Sequence, residues 1–221
     1  MANIYINNKL RLGAKGLQIK DAEGSWVKLH HRQGDLDGAC GVYSTIMGLL
    51  TIGYLSYQDI SIYNSPDKRG SKGKMLSHFL EKQGMIRDGY FTRTLAKDIR
   101  DYCDDLNVQV HYKGEKIIDY VHDAIIENNP VIVTMEAKNF CHYVLAIGFE
   151  YVKQDDDTDK ITKILCLDPD DDLDASNYWN CSIDVSKELS DDFTCQYMTR
   201  MISCKVRINN IMIISKCITT P

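Results

Sequence analysis

The chain has 221 residues, 44% of them apolar and 26% charged, with four prolines and a formal net charge of -5. That length and composition exclude a disordered or fibrous chain and predict one packed domain over residues 1–221. The acidic balance, without clustered Lys and Arg, excludes a nucleic-acid partner or an anionic membrane surface.

The opening MANIYINNKLRLG has no cationic stretch followed by an apolar one, and the apolar runs are too short to span a bilayer. No membrane association and a cytoplasmic location are therefore expected, with delivery into another cell if the protein is an effector. The eight cysteines (40, 103, 141, 166, 181, 195, 204 and 217) are expected to be reduced thiols, several of them buried. No CxxC pair or His-x3-5-His spacing occurs, so neither a metal nor a cofactor is expected.

In chain order, the first forty residues are polar and punctuated by glycine, which predicts loops and short strands, one of them around Ser25–Leu29. From Cys40 to Tyr54 the sequence CGVYSTIMGLLTIGY is apolar on nearly all sides, as a helix in the middle of a domain would be. Further helices are predicted over Lys72–Gln83, ended by Gly84; over Thr92–Asp104; and over Glu115–Asn128, stopped by Asn128, Asn129 and Pro130. After Pro130 the pattern turns to β: PVIVTME, HYVLAIGFEYV and KITKILCLD, then Tyr178–Ile183, Ile202–Ile208 and Ile211–Lys216. Asn209–Asn210 would form the turn of a terminal hairpin. The expected fold class is α+β, a helical first half packed on a mainly antiparallel β-sheet second half, with a site in the cleft between them.

The stretch Gln33–Ser44, QGDLDGACGVYS, delivers a cysteine on a Gly-containing loop to the start of the apolar helix. A thiol at a helix N-terminus meets the positive end of the dipole, which favours the nucleophilic thiolate. The flanking Gly38 and Gly41 would let a substrate approach the backbone. Gln33 can add a side-chain N–H to the backbone N–H of Cys40, making two donors for an oxyanion. His142, at the mouth of the apolar strand HYVLAIG, is the candidate base. Asp168, at the end of the next strand in LCLDP, is the candidate for holding its imidazole by one nitrogen.

These three segments, QGDLDGACG, HYVLAIG and LCLDP, resemble the motifs of papain-fold cysteine peptidases, in particular the bacteriocin-processing-like (C39-like) branch. The resemblance covers the helix around Cys40 and the segment from Val131 to Pro169. It implies a papain-like fold, a catalytic triad of Cys40, His142 and Asp168, Gln33 as oxyanion residue, and hydrolysis of a peptide or isopeptide bond in a protein or peptide substrate. The loop from Gln33 to Cys40 departs from that pattern by one extra residue and carries Asp35 and Asp37. The same triad would also serve glutamine deamidation or transglutamination, and a catalytically silent binding module is the alternative from another class. An intracellular peptidase of this size could serve as a toxin, a defence effector or a maturation enzyme.

Of the other residues that invite chemistry, His30, His31, His78, His111 and His122 are expected at the surface or at element ends. His31 is the nearest rival to His142. Cys141 is expected to be a buried neighbour of the site, the alternative being a redox-sensitive thiol beside it. The runs Asp155–Asp157 and Asp168–Asp174 suggest calcium, but Leu173 and Trp179 stand where an EF-hand needs Gly and an acidic residue, so solvated loops are expected.

Overall fold

A computed structural model describes residues 2–34, 37–61, 64–65, 67–82, 89–114, 116–154, 158–186, 189 and 192–217. Strand β1 (Asn3–Ile6) is followed by a three-stranded antiparallel sheet of β2 (Arg11–Gly13), β3 (Gly16–Lys20) and β4 (Trp26–Lys28). Then come α1 (Cys40–Thr51), α2 (Tyr57–Ile60), α3 (Ser71–Ser77), α4 (Thr92–Tyr102), β5 (Leu106–Tyr112) and α5 (Ile117–Ile126). The remaining strands are β6 (Val131–Glu136), β7 (Cys141–Lys153), β8 (Asp159–Leu167), β9 (Cys181–Asp184), β10 (Cys195–Thr199) and β11 (Ser203–Lys216).

Strand β4 lies within the predicted Ser25–Leu29, and the four longer helices fall where the periodicity predicts them. The helix predicted over Lys72–Gln83 is α3 followed by a π-helical turn at His78–Lys82; its predicted end at Gln83 and Gly84 lies outside the described residues, as does Glu115 before α5. The stop after α5 works through backbone chemistry. Asn128 adopts a left-handed φ of 59°, its N–H donates to the Ile125 carbonyl at 3.0 Å, and the Asn129 N–H donates to the Ala124 carbonyl at 2.8 Å. Two carbonyls that the helix end would strand are thereby satisfied.

The expected α+β papain-like arrangement, a helical half packed on a sheet, is overturned. The chain is mostly β: β7, β6, β11, β10, β9 and β8 are successive antiparallel neighbours, and β8 pairs again with β7, closing a six-stranded barrel. Strands β1 and β5 lie on β7 and β11 outside that ring. The cause lies in the long strands. Strands β7 and β11 run 13 and 14 residues, and their pairings break register at Ala146/Gly148, Glu150/Tyr151 and Ile208/Asn210. Such bulges bend and twist a strand until the sheet edges can meet.

The expected terminal hairpin is also absent, because β11 runs through Asn209–Asn210 as one strand. A tight two-residue turn would need left-handed φ at both positions, and Asn128 is the only non-glycine residue with positive φ among the described residues.

Side-chain alternation sorts the core into two clusters. Val131, Val133, Val144, Ala146, Ile164 and Ile183 belong to one, together with the apolar stripe of α5. Their alternates Ile132, Leu145, Ile147, Leu167, Met212 and Ile214 pack with α1, α3 and α4 in the other. Both faces of β6 and β7 are thus covered, which explains why those strands read as nearly unbroken apolar runs.

Helix α1 has eleven of its twelve residues buried. Each fully buried Met or Leu there contributes about 1.5–3 kcal/mol. It sits so close to β6 that a Cβ on Gly48 would lie 3.1 Å from Pro130 Cβ. A Cβ on Gly148 would lie 2.4 Å from the Tyr5 carbonyl oxygen, so glycine is what lets β1 pair with β7 there. No helix among the described residues is long and apolar enough to cross a membrane.

Candidate active site

Cys40 is the first residue of α1. Ala39, at the N-cap, makes no side-chain cap, and the first turn carries no acidic residue, so the thiol sits at the positive end of the helix dipole, which it shares with the Asp37 carboxylate on the Ala39 N–H. One turn on, Ser44 donates to the Tyr143 carbonyl at 3.2 Å. That bond ties the start of α1 to the start of β7 and so keeps Cys40 beside His142. Gly41 faces inward, with Leu95 and Tyr143 at 3.5–3.6 Å from where a Cβ would stand, whereas Gly38 lines the cleft. Close substrate approach therefore belongs to Gly38, and Gly41 serves helix packing.

The loop before the helix is organised by one carboxylate. Asp37 accepts the N–H groups of Gly34 at 2.9 Å and Ala39 at 3.3 Å, and its own N–H reaches the Gly34 carbonyl at 3.3 Å. Asp37 thus folds the loop into a turn; Asp35 lies outside the described residues.

His142 and Asp168 meet as expected. Strand β7 starts at Cys141, and Asp168 directly follows β8, its neighbour in the barrel. The His142 Nε2–H donates to Asp168 Oδ1 at 2.6 Å. Asp168 Oδ1 also accepts the Asp170 N–H at 2.7 Å, and Oδ2 accepts the Tyr197 hydroxyl. Its main chain is held as firmly. Asn180 accepts the Asp168 N–H at 2.7 Å and donates to the Asp168 carbonyl at 2.8 Å, and the His30 Nε2–H donates to that carbonyl at 2.8 Å.

Burial disfavours charge on both partners, and their mutual contacts outweigh it. Burial alone would raise the Asp168 carboxyl, but His142, Tyr197 and the Asp170 N–H hold it below its ordinary range. Burial likewise would lower His142, but the Asp168 carboxylate and the Cys40 thiol, its other partner, raise it to about 10. With Nε2 taken by Asp168, Nδ1 is the nitrogen left for Cys40. The pair is a buried carboxylate and imidazolium that also interacts with the Cys40 thiol.

Gln33 reaches the site through a zipper of contacts between residues 30–33 and the loop after β8. Besides the His30 bond, the Gln33 N–H donates to the Pro169 carbonyl at 2.8 Å, Gln33 Nε2 donates to Asp170 Oδ1 at 3.0 Å, and Arg32 pairs with Asp172 at 3.1 Å. Asp170 takes one hydrogen of the Gln33 amide and leaves the other. Gln33, Cys40 and His142 line one cleft of about 680 Å³, together with Tyr90, Phe91, Tyr112 and Asn210. Phe140 stands edge-on to His142, with ring centroids 6.5 Å apart.

Several residues fall elsewhere than the sequence reading puts them. Cys141 is exposed and lines the cleft, where a buried thiol was expected; all eight cysteines are free. His30, expected at the surface or at an element end with no special role, is 3% exposed and anchors Asp168. His31 stacks on Tyr57 and does not line the cleft; burial lowers it to about 4. The run after β8 is no simple solvated loop, since Asp168 is buried and Asp170 and Asp172 bind Gln33 and Arg32. Asp155–Asp157 lie outside the described residues. Tyr197 and Asn180 had no signal beyond an apolar alternation in CQYMT and the polar residue before CSID. No protein-family model and no curated protein matches the chain.

Proposed function

We propose that this protein is a cysteine hydrolase that cleaves a peptide or isopeptide bond in a protein or peptide substrate. The observation that carries the reading is the imidazole of His142, bonded through Nε2 to the buried Asp168 and interacting with Cys40, at the wall of an open cleft that both line. The reading takes its support from these side chains and from the motif resemblance, and it asks nothing of a papain fold.

For the attack, the proton given up by the Cys40 thiol is carried by His142. The Cys40 sulfur adds to the substrate carbonyl carbon, and the oxygen takes the charge of the broken π bond. The Cys40 N–H and the second hydrogen of the Gln33 amide supply donors for that oxyanion. As the C–N bond breaks, His142 gives its proton to the leaving nitrogen, and a thioester remains. Neutral His142 then takes a proton from water, the hydroxyl adds to the thioester, and the acid departs with regeneration of thiolate and imidazolium. Asp168 keeps the ring oriented throughout and balances its charge.

The test is intact-mass analysis of candidate proteins and peptides after incubation with wild type and with Cys40→Ala. Fragments produced by wild type alone are the expected result. A gain of about one dalton on an uncleaved chain would replace hydrolysis of the backbone by glutamine deamidation, because an amide becomes an acid. A joined pair of chains would indicate acyl transfer to an amine, and identical masses from both proteins would point to a silent binding module. With a cleaved substrate in hand, Gln33→Ala is expected to lower kcat by roughly 100- to 1,000-fold, the usual effect of removing one oxyanion donor. Steady-state kinetics with KM within about threefold of wild type would place the loss in the transition state.

A further inference from the structure

Phe91 breaks two local rules at once. It occupies the N-cap of α4 with no side-chain hydrogen bond, where Ser, Thr, Asp or Asn is favoured, and as a residue it is 82% exposed. The exposure is not that of a loose loop. The Tyr143 hydroxyl donates to the Tyr90 carbonyl at 2.5 Å; Thr92 Oγ1 lies 2.9 Å from the same hydroxyl and 3.0 Å from Thr134 Oγ1. The backbone on both sides of Phe91 is therefore fixed to the residue that follows His142, and the ring is held out over the cleft that contains Cys40. A local rule broken without compensation inside the fold points to something outside it.

Two further features of the cleft fit the same occupant. Tyr112, from β5, lines it and is 47% exposed; neither it nor Phe91 stacks on another ring among the described residues. Asn210, beside the β11 bulge, also lines it and carries a buried Oδ1 with no hydrogen-bond partner, an acceptor that a main-chain N–H would satisfy.

We infer that Phe91 and Tyr112 form a subsite for a large apolar side chain of a peptide substrate, with Asn210 accepting a main-chain N–H of the same peptide. Phe91 is then a specificity-determining residue, and the substrates are peptides with an aromatic or large aliphatic residue near the bond attacked. The inference rests on the reading of Cys40 as the nucleophile.

The test uses Cys40→Ala, so that nothing is turned over, with fluorescein-labelled octapeptides of Gly, Ser and Ala that carry one guest residue. Fluorescence anisotropy is expected to show Phe and Leu guests binding about tenfold more tightly than Ala or Asp guests, the scale of burying one such side chain. Adding Phe91→Ala is expected to bring the Phe guest to within about twofold of the Ala guest, while Phe91→Leu keeps at least half of the preference. Equal binding of all guests, or a preference that survives Phe91→Ala, overturns the subsite. Iodoacetamide labelling of Cys40 in Phe91→Ala separates this failure from failure of the functional reading. Fast, selective labelling without a guest preference removes the subsite alone. A guest preference with an inert Cys40 overturns the inference as a substrate subsite.

Discussion

Cys40→Ala is expected to fold as wild type does and to lose bond cleavage by at least roughly ten-thousand-fold, because no other group supplies the attacking atom. The thiol is buried but replaced by a smaller apolar side chain, and the contacts that seat α1 come from elsewhere. Ser44 to Tyr143 and the apolar faces of Met47, Leu49 and Leu50 are untouched by the change. Thermal unfolding within about 2 °C of wild type is the accompanying expectation. Loss of cleavage together with intact folding assigns the defect to chemistry; cleavage retained to within tenfold would remove Cys40 from the mechanism.

Asp168→Asn is expected to damage both activity and stability. The neutral amide cannot balance an imidazolium, and an N–H turned toward His142 Nε2 would leave the neutral ring with its proton on Nδ1, unable to take another from the Cys40 thiol. Loss of the order of a thousand- to ten-thousand-fold in kcat follows from that change of tautomer. Stability falls because the Asp168 carboxylate holds three fixed partners, His142, Tyr197 and the Asp170 N–H, and one end of a buried ion pair is removed, a change that costs roughly 3–5 kcal/mol.

The stability loss is expected to depend on pH. His142 is raised from its ordinary 6.5 to about 10 in the folded protein, so its contribution is complete below 6.5 and disappears as pH rises through about 10. Asp168 is lowered from its ordinary 3.8, so its contribution is present above that value and disappears as pH falls below it. The difference in unfolding free energy between wild type and Asp168→Asn should therefore peak at about pH 5–6 and shrink toward both extremes. Urea unfolding at a series of pH values measures it. A difference that grows from pH 6 to pH 9 would contradict the charged His142–Asp168 pair.

What the sequence made legible was chemistry tied to local pattern. Cys40 at the head of an apolar helix, His142 at the start of one apolar strand and Asp168 at the end of the next could be read because each is marked by the element it begins or ends. The pairing of β7 with β8 then brings the last two together. The Asn128–Pro130 stop was legible for the same local reason. Closure of the barrel was not, since it depends on register breaks in β7, β8 and β11 that cost one residue each and leave the apolar alternation almost undisturbed.

The supports of Asp168 were illegible for a different reason. Tyr197 comes from a strand 29 residues away and His30 from a loop 138 residues away. Neither carries a pattern that distinguishes a carboxylate anchor from an ordinary core tyrosine or surface histidine. Phe91 was hidden as well, for its meaning lies in an exposure that only the pinned backbone around it makes purposeful.

The account stands most directly on one competition between thiols. At about pH 6 an ordinary cysteine is only ~0.3% thiolate, and exposure should then decide which of them reacts with limiting iodoacetamide. Cys141 and Cys217 are exposed, while Cys40 is 7% exposed. Peptide mapping by mass spectrometry is expected to find Cys40 alkylated at least tenfold faster than either, and to find that lead lost in His142→Ala. If Cys141 and Cys217 react first and His142→Ala leaves Cys40 unchanged, His142 does not activate Cys40, and the proposed hydrolase is contradicted.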